Sequence, residues 1–187
     1  MLGENIMNEY TAIISQLEKK NILFDVGLSE MEIGNIQKKY DFQFPRAYIT
    51  FAKIGLPIST GFYNWRDFSI KNVEYIKQTM KLPFENICEN IQDVYWCDEW
   101  GPEPDGTDRS DKILKKIKEA PKLIPIYGHR FMPMLQVDDP PILSICGADI
   151  IYYGKNLKDY LACEFLGQKH DPILKNYLRI QFWSEIM

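Results

Sequence analysis

Apolar residues at Ile6, Tyr10, Ile13, Ile14 and Leu17 recur at helical spacing and predict an amphipathic helix over 4–20. In LSEMEIGNIQKKY, Ser29 and Glu32 form a capping-box pair, which predicts a helix from Glu30 to Tyr40 with Ile33 and Ile36 facing inward. FQFPRAYITFAKIG predicts a third helix, with Pro45 at its first position, a buried stripe of Tyr48, Phe51 and Ala52, and Gly55 as a left-handed cap. The stretch 56–69 reads as an aromatic loop. Residues 70–81 read as a helix, and Pro83 is expected to open a separate short one reaching about Ile91. After a turn-rich connection, Asp111 is expected to cap the basic helix KILKKIKEA, which Pro121 terminates.

The period then changes from helical to strand-like. KLIPIY and FMPMLQV are short β-type runs separated by Gly128-His129-Arg130, and ILSIC and DIIYY flank Gly147-Ala148, where Gly-X suits a type II′ turn. Asn156 caps a helix over LKDYLACEFL, and a last helical piece is expected over 171–186. Helices, then a four-strand meander, then helices again predict an α+β domain, with an antiparallel sheet of about four strands or more and helices gathered on one face.

Composition changes this picture in two places. At 187 residues the chain is long enough for one domain with a proper core, and the aromatic share of 13% exceeds what a core alone absorbs. The net charge of −4 is uneven: 85–111 holds nine acids and one base, so that segment carries −8 and the remainder +4. Such a surface repels phosphates and attracts basic partners, which argues against nucleic acid as a ligand. Cys88, Cys97, Cys146 and Cys163 show no paired spacing, the first residues lack the charge and apolar run of a signal peptide, and no stretch approaches a membrane span. A cytoplasmic protein with reduced thiols and no membrane partner is the expectation.

Three blocks in order resemble the SMI1/KNR4, or SUKH, superfamily. LSEMEIGNIQKKYDFQFPRAYITFAKIG is similar to its opening signature, with Phe44-Pro45, Tyr48, Phe51 and Ile54-Gly55, where Phe44 replaces a leucine and Ile54 an asparagine. PKLIPIYGHRFMP resembles its central strand, and DIIYYGKNLKDYLACEF its closing strand and helix. The resemblance covers about 25–166 of a single domain spanning 1–187. It implies an α+β fold and, for many members, a bacterial immunity protein that binds and neutralises a polymorphic toxin, often a nuclease. Other members are regulatory adaptors. It brings no catalytic residue set.

The residues themselves offer little enzyme chemistry. His129 and Arg130 lack a nucleophile motif, so an exposed hairpin tip outweighs a general base with an anion clamp; a hydrolase using His129 with a carboxylate such as Asp149 stays as the alternative. His129 and His170 are not spaced to chelate a metal, Asp138-Asp139 reads as a loop, and no glycine loop cradles a phosphate, so neither metal nor cofactor is expected. The aromatic-charged clusters are the candidate contacts with a protein partner: Trp65, Arg66, Asp67, Trp96, Asp98, Glu99, Trp100 and Arg130. The sheet face and flanking loops are expected to cover a toxin's active site, with acidic groups steering a basic partner.

Overall fold

A computed structural model describes residues 2–169 and 177–187. Helix α1 (Leu2–Glu18) buries Tyr10, Ile13, Ile14 and Leu17 against α3 (Arg46–Ile54) and leaves Ile6 exposed. Helix α2 (Glu30–Tyr40) starts at the predicted box: the Glu32 amide donates to Ser29 Oγ at 3.3 Å, and the Ser29 amide donates to Glu32 Oε2 at 2.8 Å. Tyr48, Phe51 and Ala52 form the buried stripe of α3, although Pro45 stands at the cap, just before the first helical residue.

Gly55 is the C-cap of α3 as predicted, its amide donating to the Phe51 carbonyl, but it is not left-handed. Its φ is −163°, so it is extended and opens strand β2 (Gly55–Pro57), which pairs antiparallel with β1 (Phe24–Val26). Neither three-residue strand has enough length to show a period of two, so the sequence pattern gives no sign of them. Gly27 is the glycine this corner requires. A Cβ there would lie 1.9 Å from the Lys53 carbonyl oxygen, so only a residue without one lets β1 pass the end of α3.

Helix α4 runs unbroken over Ile70–Glu89 with Pro83 inside it, where two helices were expected. Proline inside a helix costs about 3 kcal/mol, and here its ring is buried together with Val73, Ile76 and Ile87 along the inward face. Helix α5 (Gly106–Lys118) begins six residues earlier than predicted. Asp105 is its cap residue, and Asp111 sits in its interior.

Strands β3 (Leu123–Tyr127), β4 (Arg130–Pro133), β5 (Ile142–Cys146) and β6 (Asp149–Gly154) form the antiparallel meander in that order, followed by α6 (Leu157–Leu166). The first hairpin is tighter than expected: Tyr127 pairs with Arg130 across a two-residue turn, and Gly128 takes a φ of +50°. Strand β4 stops at Pro133 and does not extend through Val137. In the second hairpin Cys146 pairs with Asp149, and of the two turn residues only Gly147 has a positive φ, as a type II′ turn requires. Asn156 caps α6 by accepting from the Asp159 amide at 2.8 Å.

The sheet is covered on both faces, not one. Ile124, Ile126, Met132 and Ile142 pack into a core shared with α1, α2, α3 and α6. Leu123, Phe131, Leu143, Ile145 and Ile150 face the other way, onto Ile87, Ile113, Ile117, Ile180, Phe182 and Trp183. Alternation along each strand feeds the two cores at once. Of the terminal helix expected over 171–186, residues 171–176 lie outside the described residues, and 177–187 are turns with Phe182 at a φ of +65°. That irregular path puts Phe182 and Trp183 on the second face. The four cysteines are free thiols. Among the described residues no helix is long and apolar enough to cross a membrane.

Candidate functional site

The sequence-predicted contact residues separate into three places. Trp65 is an inward residue, 0% exposed. Its indole N–H donates to the Tyr48 hydroxyl at 2.8 Å, and the rings of Tyr40, Phe42 and Phe44 meet it edge-on at 5.3–5.6 Å. It has no surface to offer a partner. Arg66 ties the corner together: Nε donates to Glu32 at 2.7 Å, Nη1 to Asp25 at 2.7 Å, and Nη2 to the carbonyls of Val26 and Gly27 at 3.0 and 3.2 Å. Hydrogen bonds from Arg66, then from the Ser29 amide and hydroxyl, hold the Glu32 carboxyl down to about 2. Asp67 accepts from the amide and hydroxyl of Ser69, the residue that caps α4. In this first cluster Trp65 is enclosed and Arg66 ties the corner, while Asp67 stays exposed.

Arg130 lies under the β3–β4 turn, its side chain 11% exposed. It donates to Glu164 at 3.2 Å and to Ser144 at 2.9 Å, and its guanidinium sits 3.7 Å over the Tyr153 ring. The His129 ring rests against Nη1 of Arg130. Burial, and then the neighbouring guanidinium, lower the His129 pKa, while Glu164 opposes the shift. No hydrogen bond joins His129 to Asp149 among the described residues, so the pair is not assembled as a base with its orienting acid. His170 lies outside the described residues. No group of three or more His, Cys, Asp or Glu side chains able to hold a metal occurs among the described residues.

The third place is the acidic loop between α4 and α5, and here the aromatic and charged residues do converge. Trp96 packs inward and donates its indole N–H to the Gly101 carbonyl at 2.9 Å. Asp98, Glu99 and Trp100 form a single 3-10 turn. Trp100 meets Trp96 edge-on at 5.2 Å, stacks on Phe182 at 6.0 Å, and donates to Glu185 at 2.9 Å. Burial pushes the Glu185 carboxyl up, but the bonds from Trp100 and Arg179 outweigh it and leave its pKa lowered. Arg109 clamps the loop from below, donating to Glu103 at 2.5 Å and to the carbonyls of Ile91 and Val94 at 2.9 and 2.6 Å. Lys112 and Lys116 lie over the Trp96 and Trp100 rings.

The tryptophans therefore act as roots of the loop, not as exposed anchors. The exposed ring of the loop is one absent from the sequence-predicted contacts: Tyr95 is 56% exposed. Val94 and Trp96 point inward on either side of it, so strict alternation along VYW was the signal that places it outside. A depression of about 630 Å³ lies beside it, lined by Val94, Tyr95, Trp96, Asp98, Pro102 and Glu103 among others. Glu99 is paired with Arg179 at 2.6 Å and Glu103 with Arg109, whereas Asp93, Asp98 and Asp105 are exposed and form no ion pair among the described residues. The loop thus presents one large aromatic ring among free carboxylates, on a backbone fixed by buried rings and an arginine clamp.

Compared with protein-family profiles, curated proteins and solved structures, the chain matches none of them.

Proposed function

We propose that this chain is a non-enzymatic protein-binding module of the immunity type, which neutralises a basic toxin domain by lying across its active site. The single observation that supports this reading most is the loop at 93–105, where exposed Tyr95 and the carboxylates of Asp93, Asp98 and Asp105, which have no ion-pair partner among the described residues, stand on a rigidly rooted frame. Aromatic anchors within a polar rim are the usual make-up of an interface. Like a nucleic acid backbone, the −8 segment attracts a surface built to hold phosphates. Both sheet faces carry packed cores, which favours this loop over the sheet face as the contact. The resemblance to the SUKH superfamily points the same way but rests on its three sequence blocks alone.

The test has two arms. The chain is used to capture proteins from its native cells alongside a Tyr95→Ala/Asp98→Asn variant. A basic protein that is retained by the wild type and lost with the variant, and whose activity the purified chain inhibits at a one-to-one ratio, agrees with the proposal. Turnover of a substrate by the purified chain itself, abolished by changing one side chain, contradicts it.

A further inference from the structure

A second surface lies away from the acidic loop, where α4 faces the end of α5 and the start of β3. It is a groove of about 530 Å³ with a floor that includes Met80, Phe84, Ile117 and Trp183. Two rims of opposite origin bound it. Lys77 and Lys81 stand on α4, and Lys118 and Lys122 stand on the other side. All four are exposed. Lys122 is occupied by Asp41 at 2.6 Å, but Lys77, Lys81 and Lys118 make no ion pair among the described residues. Phe84 is 38% exposed on this apolar floor in a chain whose net charge is negative. Tyr40 also lines the groove, and its hydroxyl is buried with no hydrogen-bond partner among the described residues.

We propose that this groove binds a free amphiphilic anion, a small molecule with an alkyl or aromatic body and a carboxylate-type head. The body covers the apolar floor, the head pairs with the unpartnered ammonium groups on the rims, and a polar atom reaching Tyr40 would satisfy its hydroxyl. The volume lies within the roughly 300–1,000 Å³ range of small-molecule clefts, and a mostly apolar lining with a few polar groups is their usual make-up. Lysine stems lie along apolar surface while their heads stay in water, so the rims extend the floor as well as charging it. A concave groove encloses a single chain, whereas the flat face of a bilayer does not enter it, so the free molecule is the occupant.

Isothermal titration with dodecanoate, kept below its critical micelle concentration, tests this. Saturable one-to-one binding is expected. It should weaken at least tenfold in Lys77→Glu/Lys81→Glu, whose sites are exposed and whose fold is checked by circular dichroism. It should be lost in Ala120→Trp, which fills the groove, and dodecyltrimethylammonium should bind at least tenfold more weakly than dodecanoate. The proposal is overturned by absence of saturable dodecanoate binding, by equal affinity for the two head charges, or by indifference to both variants. Binding to phosphatidylglycerol vesicles without binding of monomeric dodecanoate would also overturn it, by assigning the surface to a membrane.

Discussion

Trp65→Phe separates the two roles an aromatic in this loop could play. The indole is fully enclosed and its N–H donates to the Tyr48 hydroxyl at 2.8 Å. Tyr48 is itself buried, and burial pushes its pKa above the ordinary tyrosine value while the Trp65 bond opposes the shift. The smaller ring leaves space among Tyr40, Phe42 and Phe44, which costs about 1–2 kcal/mol for a modest large-to-small change. The stranded hydroxyl adds about 1–2 kcal/mol, because a buried polar group that loses its partner bears its desolvation uncompensated. Trp65→Phe should therefore destabilise by about 2–4 kcal/mol, and Tyr48→Phe, which strands the indole N–H, by about 1–2 kcal/mol. The double variant strands nothing and keeps only the cost of the smaller ring, so the two effects should fall short of additivity by the two stranding costs together, about 2–4 kcal/mol. Urea unfolding followed by far-ultraviolet circular dichroism measures all three against the wild type. A coupling below about 0.4 kcal/mol, the ordinary scatter of independent sites, would refute the pairing. Weakened partner binding by folded Trp65→Phe, with Tyr95→Ala silent, would refute the assignment of Trp65 to the core.

Two other outcomes follow from the same corner of the fold. Gly27→Ala should cost about 2 kcal/mol or more in thermal unfolding, since its Cβ would meet the Lys53 carbonyl oxygen at 1.9 Å and neither backbone can move freely. The Glu32 carboxyl, held at about 2 against an ordinary 4.5 chiefly by Arg66, should titrate there by carbon-detected NMR. Because its value is lower in the fold than in the unfolded chain, its stabilisation is complete above pH 4.5 and drains away as pH falls toward 2; Arg66→Ala should move the midpoint back toward 4.5 and remove that acid-side loss.

How much of this was legible in the residues depended on whether the signal was local. The Ser29–Glu32 box, the Asn156 cap and the glycines of the two hairpins each encode their geometry within a few positions, and helix α2, helix α6 and the meander follow from them. Pro83 misled because a proline's local penalty was outweighed by the buried face of α4, a long-range effect. Strands β1 and β2 are too short to carry a period, and they exist because Gly27 and Gly55 let the chain pass close to Lys53 and Phe24. The covering of the second sheet face was hidden for a similar reason: the segment supplying Phe182 and Trp183 is irregular, and no periodicity announces it. Among the candidate contacts, the sequence placed Trp96, Asp98, Glu99 and Trp100 in the connection between α4 and α5, although it ran that connection on to Asp111 where α5 begins at Gly106. It could not tell which rings turn inward, because Trp65, Trp96 and Tyr95 differ in neighbours that only the fold brings together.

Association kinetics measure the electrostatic part of the proposed interface. With the captured partner in hand, stopped-flow mixing of the wild type should give an association rate that falls about tenfold or more between low and physiological salt, as steered encounters do. The variant Asp93→Asn/Asp98→Asn/Asp105→Asn, which removes three exposed carboxylates that form no ion pair among the described residues without disturbing the Arg109 clamp or the tryptophan roots, should associate more slowly and lose most of that salt dependence. An unchanged rate with an unchanged salt slope would contradict the assignment of this loop as the surface that meets the partner.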